Sequence, residues 1–143
     1  MANPNPNPKP FRLQIPVEVR DAMVAHCLRE APLECCGILG GVRPLVSSFH
    51  PLRNASQSET RYDADPRDLI AVVQSLRAQR AEILAIYHSH PQWPAVPSKT
   101  DLRENHYGDV PRIIVSLLGD APDVRVWRLD PETYEELAWD VIG

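Results

Sequence analysis

This 143-residue sequence has little with which to cross-link itself, grip a polyanion or enter a bilayer. It has three cysteines, an odd count, and two of them, Cys35 and Cys36, are neighbours that cannot form an ordinary unstrained bridge with each other. A disulfide framework is not expected, and a reduced, cytosolic setting is. No apolar run approaches the roughly 18 residues needed to span a bilayer, and the start of the chain lacks the apolar stretch of a secretory signal, so no membrane partner is expected. Positive charge is outnumbered: 15 Lys and Arg stand against 19 Asp and Glu, for a formal charge of -4. The arginines, among them Arg12, Arg20, Arg53, Arg77 and Arg112, are scattered rather than gathered, which argues against a nucleic-acid partner.

Proline is plentiful, with 15 residues, and it opens the chain in MANPNPNPKP. Those first ten residues lack the donors of a ladder and the apolar groups of a core, and they read as a disordered tail, residues 1–10. Residues 11–143 then match one self-sufficient domain, with no internal repeat. From Ile15 the apolar positions Val19, Met23 and Cys27 recur at helical spacing, with Pro16 suited to a first helical position and Pro32 as the stop, which predicts a helix of about 14 residues. "CCGILGG" and "RPLVSSFH" read as two strands joined by a tight glycine turn, with Glu34 at the mouth of the first. The polar residues 51–65 form a loop before a second helix opened by Asp65-Pro66. "EILAIYHSH" is an apolar, β-rich run, so strand, helix and strand suggest a crossover onto one sheet. Ser98 is a natural N-cap for a short helical stretch with Asp101 in its first turn, and "RIIVSLLG", "VRVWRL" and "YEELAWDVI" read as three further strands. The fold class is α/β, mixed and α+β-like, with a central mixed sheet flanked by helices.

His88 and His90 fall at the carboxyl end of a buried strand, where open α/β sheets gather their ligands. Two residues apart on a strand, their imidazoles share one face while Ser89 points away. Both can reach one Zn²⁺, and Asp101 can fold back as a third, anionic ligand, leaving a fourth position for water as catalytic zinc sites do. A bare H-x-H is as often a satisfied turn or a surface pair. The fuller pattern, with Ser98 and Asp101 at their spacings, arises by accident in about 6 of 10,000 shuffled chains of this composition, so the turn loses ground.

Glu34 in "ECCG", then "HSHP", seven residues to Ser98, and Asp101 together resemble the signature of the JAMM (MPN-plus) zinc metalloproteases. The order of elements over roughly residues 12–130 is similar too. The resemblance implies a JAMM/MPN, cytidine-deaminase-like architecture, a zinc ion held by His88, His90 and Asp101, Glu34 as general base toward the attacking water, and Ser98 as a stabiliser of the oxyanion. It further implies hydrolysis of an amide or isopeptide bond at the C-terminal tail of a ubiquitin-like or sulfur-carrier protein. The chain looks closest to the small bacterial type: "ExCG" is that group's form of the glutamate motif. The loops with which larger relatives grip ubiquitin look short here, particularly HYGDVP at 106–111.

Plainer roles fit the remaining residues. Cys35 and Cys36 alternate across a strand and suit packing, with redox or metal binding as the other reading. His26 lies on the apolar side of the first helix and suits the core, and Trp127 and Trp139 suit strand faces. Trp93 is placed either to cover a substrate channel or to shield the metal. Asn54 either ties its own loop or lines a groove for a peptide tail. Among whole functions, a catalytically silent MPN-type scaffold is the main alternative, and such scaffolds lose the ligands that Glu34, His88, His90, Ser98 and Asp101 supply here. An eight-stranded barrel amidohydrolase needs about 250 residues, the deaminase signature P-C-x-x-C is missing, and a cysteine peptidase built on Cys36 would be indifferent to chelators.

Overall fold

A computed structural model describes residues 12–143, and the expectation of a disordered tail at residues 1–10 lies outside them. The chain runs β1 (Leu13–Pro16), α1 (Val17–Glu30), β2 (Cys36–Val42), β3 (Leu45–Leu52), α2 (Pro66–Ala78), β4 (Glu82–His90), α3 (Lys99–Arg103), β5 (Arg112–Ser116), β6 (Asp123–Leu129), β7 (Tyr134–Leu137) and β8 (Trp139–Ile142). The strands form one mixed sheet in the order β7-β6-β5-β4-β2-β3-β1-β8. The α/β class with a mixed central sheet and flanking helices is the one the sequence predicts.

β4 lies in the interior of the sheet, antiparallel to β2 and parallel to β5, and both of its faces are covered. One face packs on the α1 side, where Met23 and Cys27 meet Leu13, Ile15, Leu39, Val46 and Tyr87. The other packs on the α2 side, where Val72 and Leu76 meet Cys36, Ile38, Leu52 and Ile86. This two-sided burial explains why "EILAIYHSH" reads as a nearly unbroken apolar run. α2 starts as expected: Asp65 accepts from the amides of Arg67 and Asp68, and Pro66 occupies the first position, where its missing N–H costs nothing.

Three expectations need correction. A strand, β1, precedes α1, and Pro16 caps the helix instead of opening it. Leu13 and Ile15 are buried while Gln14 and Pro16 are half-buried, a period of two that four residues are too few to announce. The turn after β2 is made by Arg43 and Pro44, and both glycines lie inside β2 at a register irregularity. Gly40 is there for close approach: a Cβ would stand 2.5 Å from Leu76 Cδ2 of α2 and 2.7 Å from Ser48 Oγ. Finally, "YEELAWDVI" is two strands, parted by Ala138 alone and assigned to opposite ends of the strand order. One residue spans only about 7 Å, so the sheet must roll until its two outer strands come together. α1 packs its buried side on the rolled inner face, which is why the α1-side core draws residues from β1 through β6.

Gly40→Val should lower stability by about 1–3 kcal/mol, because the added side chain must push α2 off the sheet. Urea denaturation against the wild type measures it.

Candidate metal centre

β4 carries His88 and His90 to its carboxyl end, buried at 1% and 3% exposure, on the same face as Ile86 and the α2 core. Beyond His90 the chain turns through residues 91–97 and enters α3, whose start is a complete capping box: Ser98 Oγ accepts from the Asp101 amide at 3.0 Å, and the Asp101 carboxylate accepts from the Ser98 amide at 2.9 Å. The cap turns the Asp101 carboxylate back onto the histidines. His88 Nε2 lies 3.2 Å from Asp101 Oδ1, His90 Nε2 lies 3.2 Å from Asp101 Oδ2, and the two Nε2 atoms are 3.2 Å apart. The structure thus brings together His88, His90 and Asp101 as expected, and among the described residues these three are the group able to hold a metal ion.

The donor set fits zinc. A tetrahedral ion with bonds of about 2.0–2.1 Å holds its ligand atoms about 3.3 Å apart, close to the spacings observed. The tautomer agrees as well: His90 Nδ1 faces the Pro94 carbonyl at 2.8 Å, and since a carbonyl only accepts, Nδ1 carries the proton and neutral His90 presents a bare Nε2. A bare nitrogen facing a carboxylate oxygen makes sense with a cation or a proton between them. Burial alone would lower the His90 pKa, but the Asp101 carboxylate and the Pro94 carbonyl raise it overall. Burial likewise works to raise Asp101, yet His88, His90 and the Ser98 amide hold its carboxyl far below the usual range.

Glu34, in the segment just before β2, is 3% exposed, and its Oε1 has no hydrogen-bond partner. Burial pushes its carboxyl up to about 8, with His90 opposing and Asp101 reinforcing the shift. It lines one cleft of about 390 Å³ together with His90 and Ser98, opposite a wall of Trp93, Pro94 and Val96. Trp93 is 59% exposed and lines that cleft. Ser98 Oγ accepts from the Asp101 amide, which fixes the oxygen and leaves its proton free to donate. Asn54 ties its loop to the site: its Nδ2 donates to the carbonyls of Glu34 (2.9 Å) and Arg61 (3.1 Å), while its Oδ1 accepts from Ser56 and Asp63. It also lines a second cavity, of about 400 Å³, on the other side of Glu34.

Several contributors are not evident in the sequence. Tyr62 stacks on His88 with ring centres 4.7 Å apart. Arg112, 2% exposed, donates to Asn105, lies over the Tyr107 ring, and has its pKa lowered by burial. Trp127 is more than a strand face: its Nε1 donates to Ala95 O at 2.9 Å, and Ser116 Oγ donates to Trp93 O. Cys35 and Cys36 are both buried, one in the α1-side core with Sγ 3.3 Å from Cys27 Sγ, the other in the α2-side core. His26 is buried with Nδ1 2.6 Å from Tyr87 OH, His50 pairs with Ser48, and His106 is exposed.

Residues 16–130 match the family described as prokaryotic homologues of the JAB domain. The chain belongs to that family. Over 103 residues it is 41% identical to a protein of Thermus thermophilus named a probable TtuB-protein conjugate cleaving protease, covering 71% of this chain and 68% of the relative. Over 108 residues it is 34% identical to the CysO-cysteine peptidase of Mycobacterium tuberculosis, covering 73% of each. The solution structure of a protein from Desulfitobacterium hafniense superposes with a TM-score of 0.84 at 28% identity, covering 92% of this chain and 93% of that one. Membership in the JAB family agrees with the mixed sheet and with the His-His-Asp group at the end of its buried strand. Among the described residues no helix is long and apolar enough to cross a membrane.

The Glu34 shift has a thermodynamic consequence in the metal-free protein. Between its ordinary value of 4.5 and about 8 the folded chain holds a proton that the unfolded chain has released, so stability falls as pH rises through that window. His90 acts in the same direction, and between wild type and variant only the smallest cause of its shift, the one owed to Glu34, differs. In chelator, Glu34→Gln should match the wild type near pH 4 and exceed it near pH 8 by on the order of 2 kcal/mol, as read by urea denaturation.

Proposed function

We propose that this chain is a zinc-dependent peptidase that hydrolyses an amide bond at the extended C-terminal tail of a ubiquitin-like or sulfur-carrier protein. The observation that carries the reading is the three-way 3.2 Å convergence of His88, His90 and Asp101 beside a buried, unpartnered Glu34 oxygen in one open cleft. The names of the relatives support the substrate class, since they describe cleavage of protein conjugates and of a CysO-cysteine bond.

His88, His90 and Asp101 would hold the ion, with two neutral imidazoles and one carboxylate leaving a single positive charge. Zinc so held supplies Lewis acidity and lowers the pKa of water from 15.7 to about 7. Glu34, buried beside His90 at the cleft, takes the proton of the attacking water and returns it to the departing amine. Ser98 donates its free hydroxyl proton to the oxygen that gains charge as the carbonyl is attacked, from a position fixed by the cap. The exposed indole of Trp93 and the side chain of Val96 offer an apolar wall against which an extended tail can lie.

The test joins metal content to cleavage of a sulfur-carrier protein bearing a C-terminal extension. About one zinc per chain and cleavage lost in chelator are expected. Asp101→Ala should lose the metal, because two neutral histidines make a poor cage. Glu34→Gln should keep it while turnover falls by roughly 100- to 10,000-fold. Full activity in chelator would overturn the zinc reading. Zinc without cleavage of any tail-bearing carrier would overturn the substrate class.

A further inference from the structure

We propose that Ser89, the residue between the two histidines, is a positioning residue that sets where the Glu34 carboxylate stands. The inference rests on the general-base role just assigned to Glu34. Ser89 is completely buried and faces the α1 side, away from the cleft, so its hydroxyl cannot touch a substrate there. β2 and β4 pair from Gly41 opposite Glu82 to Cys36 opposite His88, and continuing the register sets Cys35 opposite Ser89 and Glu34 opposite His90. Glu34 therefore belongs on the same face as His88 and His90.

At Cys35 the ladder changes character. The Ser89 amide still donates to the Cys35 carbonyl at 3.0 Å, but the Cys35 amide donates to Ser89 Oγ at 2.9 Å, so a side-chain oxygen accepts there. One residue further, Glu34 has left β4: its amide donates to Ser58 O at 2.8 Å and its carbonyl accepts from Asn54 Nδ2 at 2.9 Å. The Ser89 hydroxyl is thus the last hold of the histidine strand on the glutamate strand. It lets the backbone peel away just where the two sides of the cleft must separate, while keeping Glu34 in register with His90.

The experiment compares Ser89→Ala, Ser89→Thr and Glu34→Gln with the wild type, with zinc counted in each. Ser89→Ala should keep its zinc and hold KM within about two-fold while kcat falls about 10- to 100-fold, the split expected when only a transition-state group is misplaced. Ser89→Thr, which keeps the hydroxyl, should recover kcat to within a few-fold. Ser89→Ala added to Glu34→Gln should cost almost nothing further, since both act through one carboxylate. In metal-free protein the Cys35 amide should exchange with solvent about 10-fold faster or more in Ser89→Ala and stay protected in Ser89→Thr. If Ser89→Ala does not fold, Ser89→Cys, with a weak sulfur acceptor, should show the same split at smaller size. Wild-type kcat in the alanine variant, or a full additional loss in the Glu34→Gln background, overturns the inference while leaving Glu34 as base. An active Glu34→Gln overturns both.

Discussion

The antiparallel pairing of β2 with β4 ends with Cys36 opposite His88, and the cleft is arranged around that end. One strand delivers two imidazoles, the other delivers a carboxyl group from across the sheet, and their relative position is set by backbone hydrogen bonds. A slip of one residue would send the histidines to the α1 face and Glu34 to the other. The packing guards against this: Tyr87, the neighbour of His88, lies flat over Gly37, where any Cβ would collide with its ring. The glycine of "ECCG" thus locks the register that the histidines need.

The Asp101 carboxylate is placed by a device local to a few residues. Asp101 occupies the N3 position of a five-residue helix and completes its capping box, so its carboxylate satisfies the Ser98 amide while facing His88 and His90. The same two residues that start α3 therefore define one side of the cleft. The arrangement concentrates costly groups: Glu34, His88 and His90 are all nearly inaccessible to water, and Glu34 has an oxygen without a partner. A buried carboxyl left unsatisfied destabilises a fold, and the surrounding cores on both sheet faces must offset it.

Much of this was legible in the sequence because its signals are local. The capping serine and its aspartate three residues on, the Asp65-Pro66 helix start, and the period-two placement of the histidines each show within a few positions. Features that depend on distant pairing were not. β1 is four residues long and gains its identity from pairing with β8 at the far end of the chain. The break at Ala138 reflects the rolling of the sheet, which no single segment encodes. Tyr62 over His88 and Ser89 against Cys35 join residues 26 and 54 positions apart, and Arg112 over Tyr107 depends on how the loop before β5 folds back on the buried guanidinium. Gly40 read as a turn residue because glycine serves both turns and close approaches, and only the position of Leu76 separates the two.

The loop that walls the cleft is staked at three successive carbonyls: Trp93 by Ser116, Pro94 by His90, and Ala95 by Trp127. A segment held so closely is a fixed jaw rather than a lid. Against a fixed wall water leaves only where a bound group covers the exposed indole, so the area laid over Trp93 sets how dry the cleft becomes.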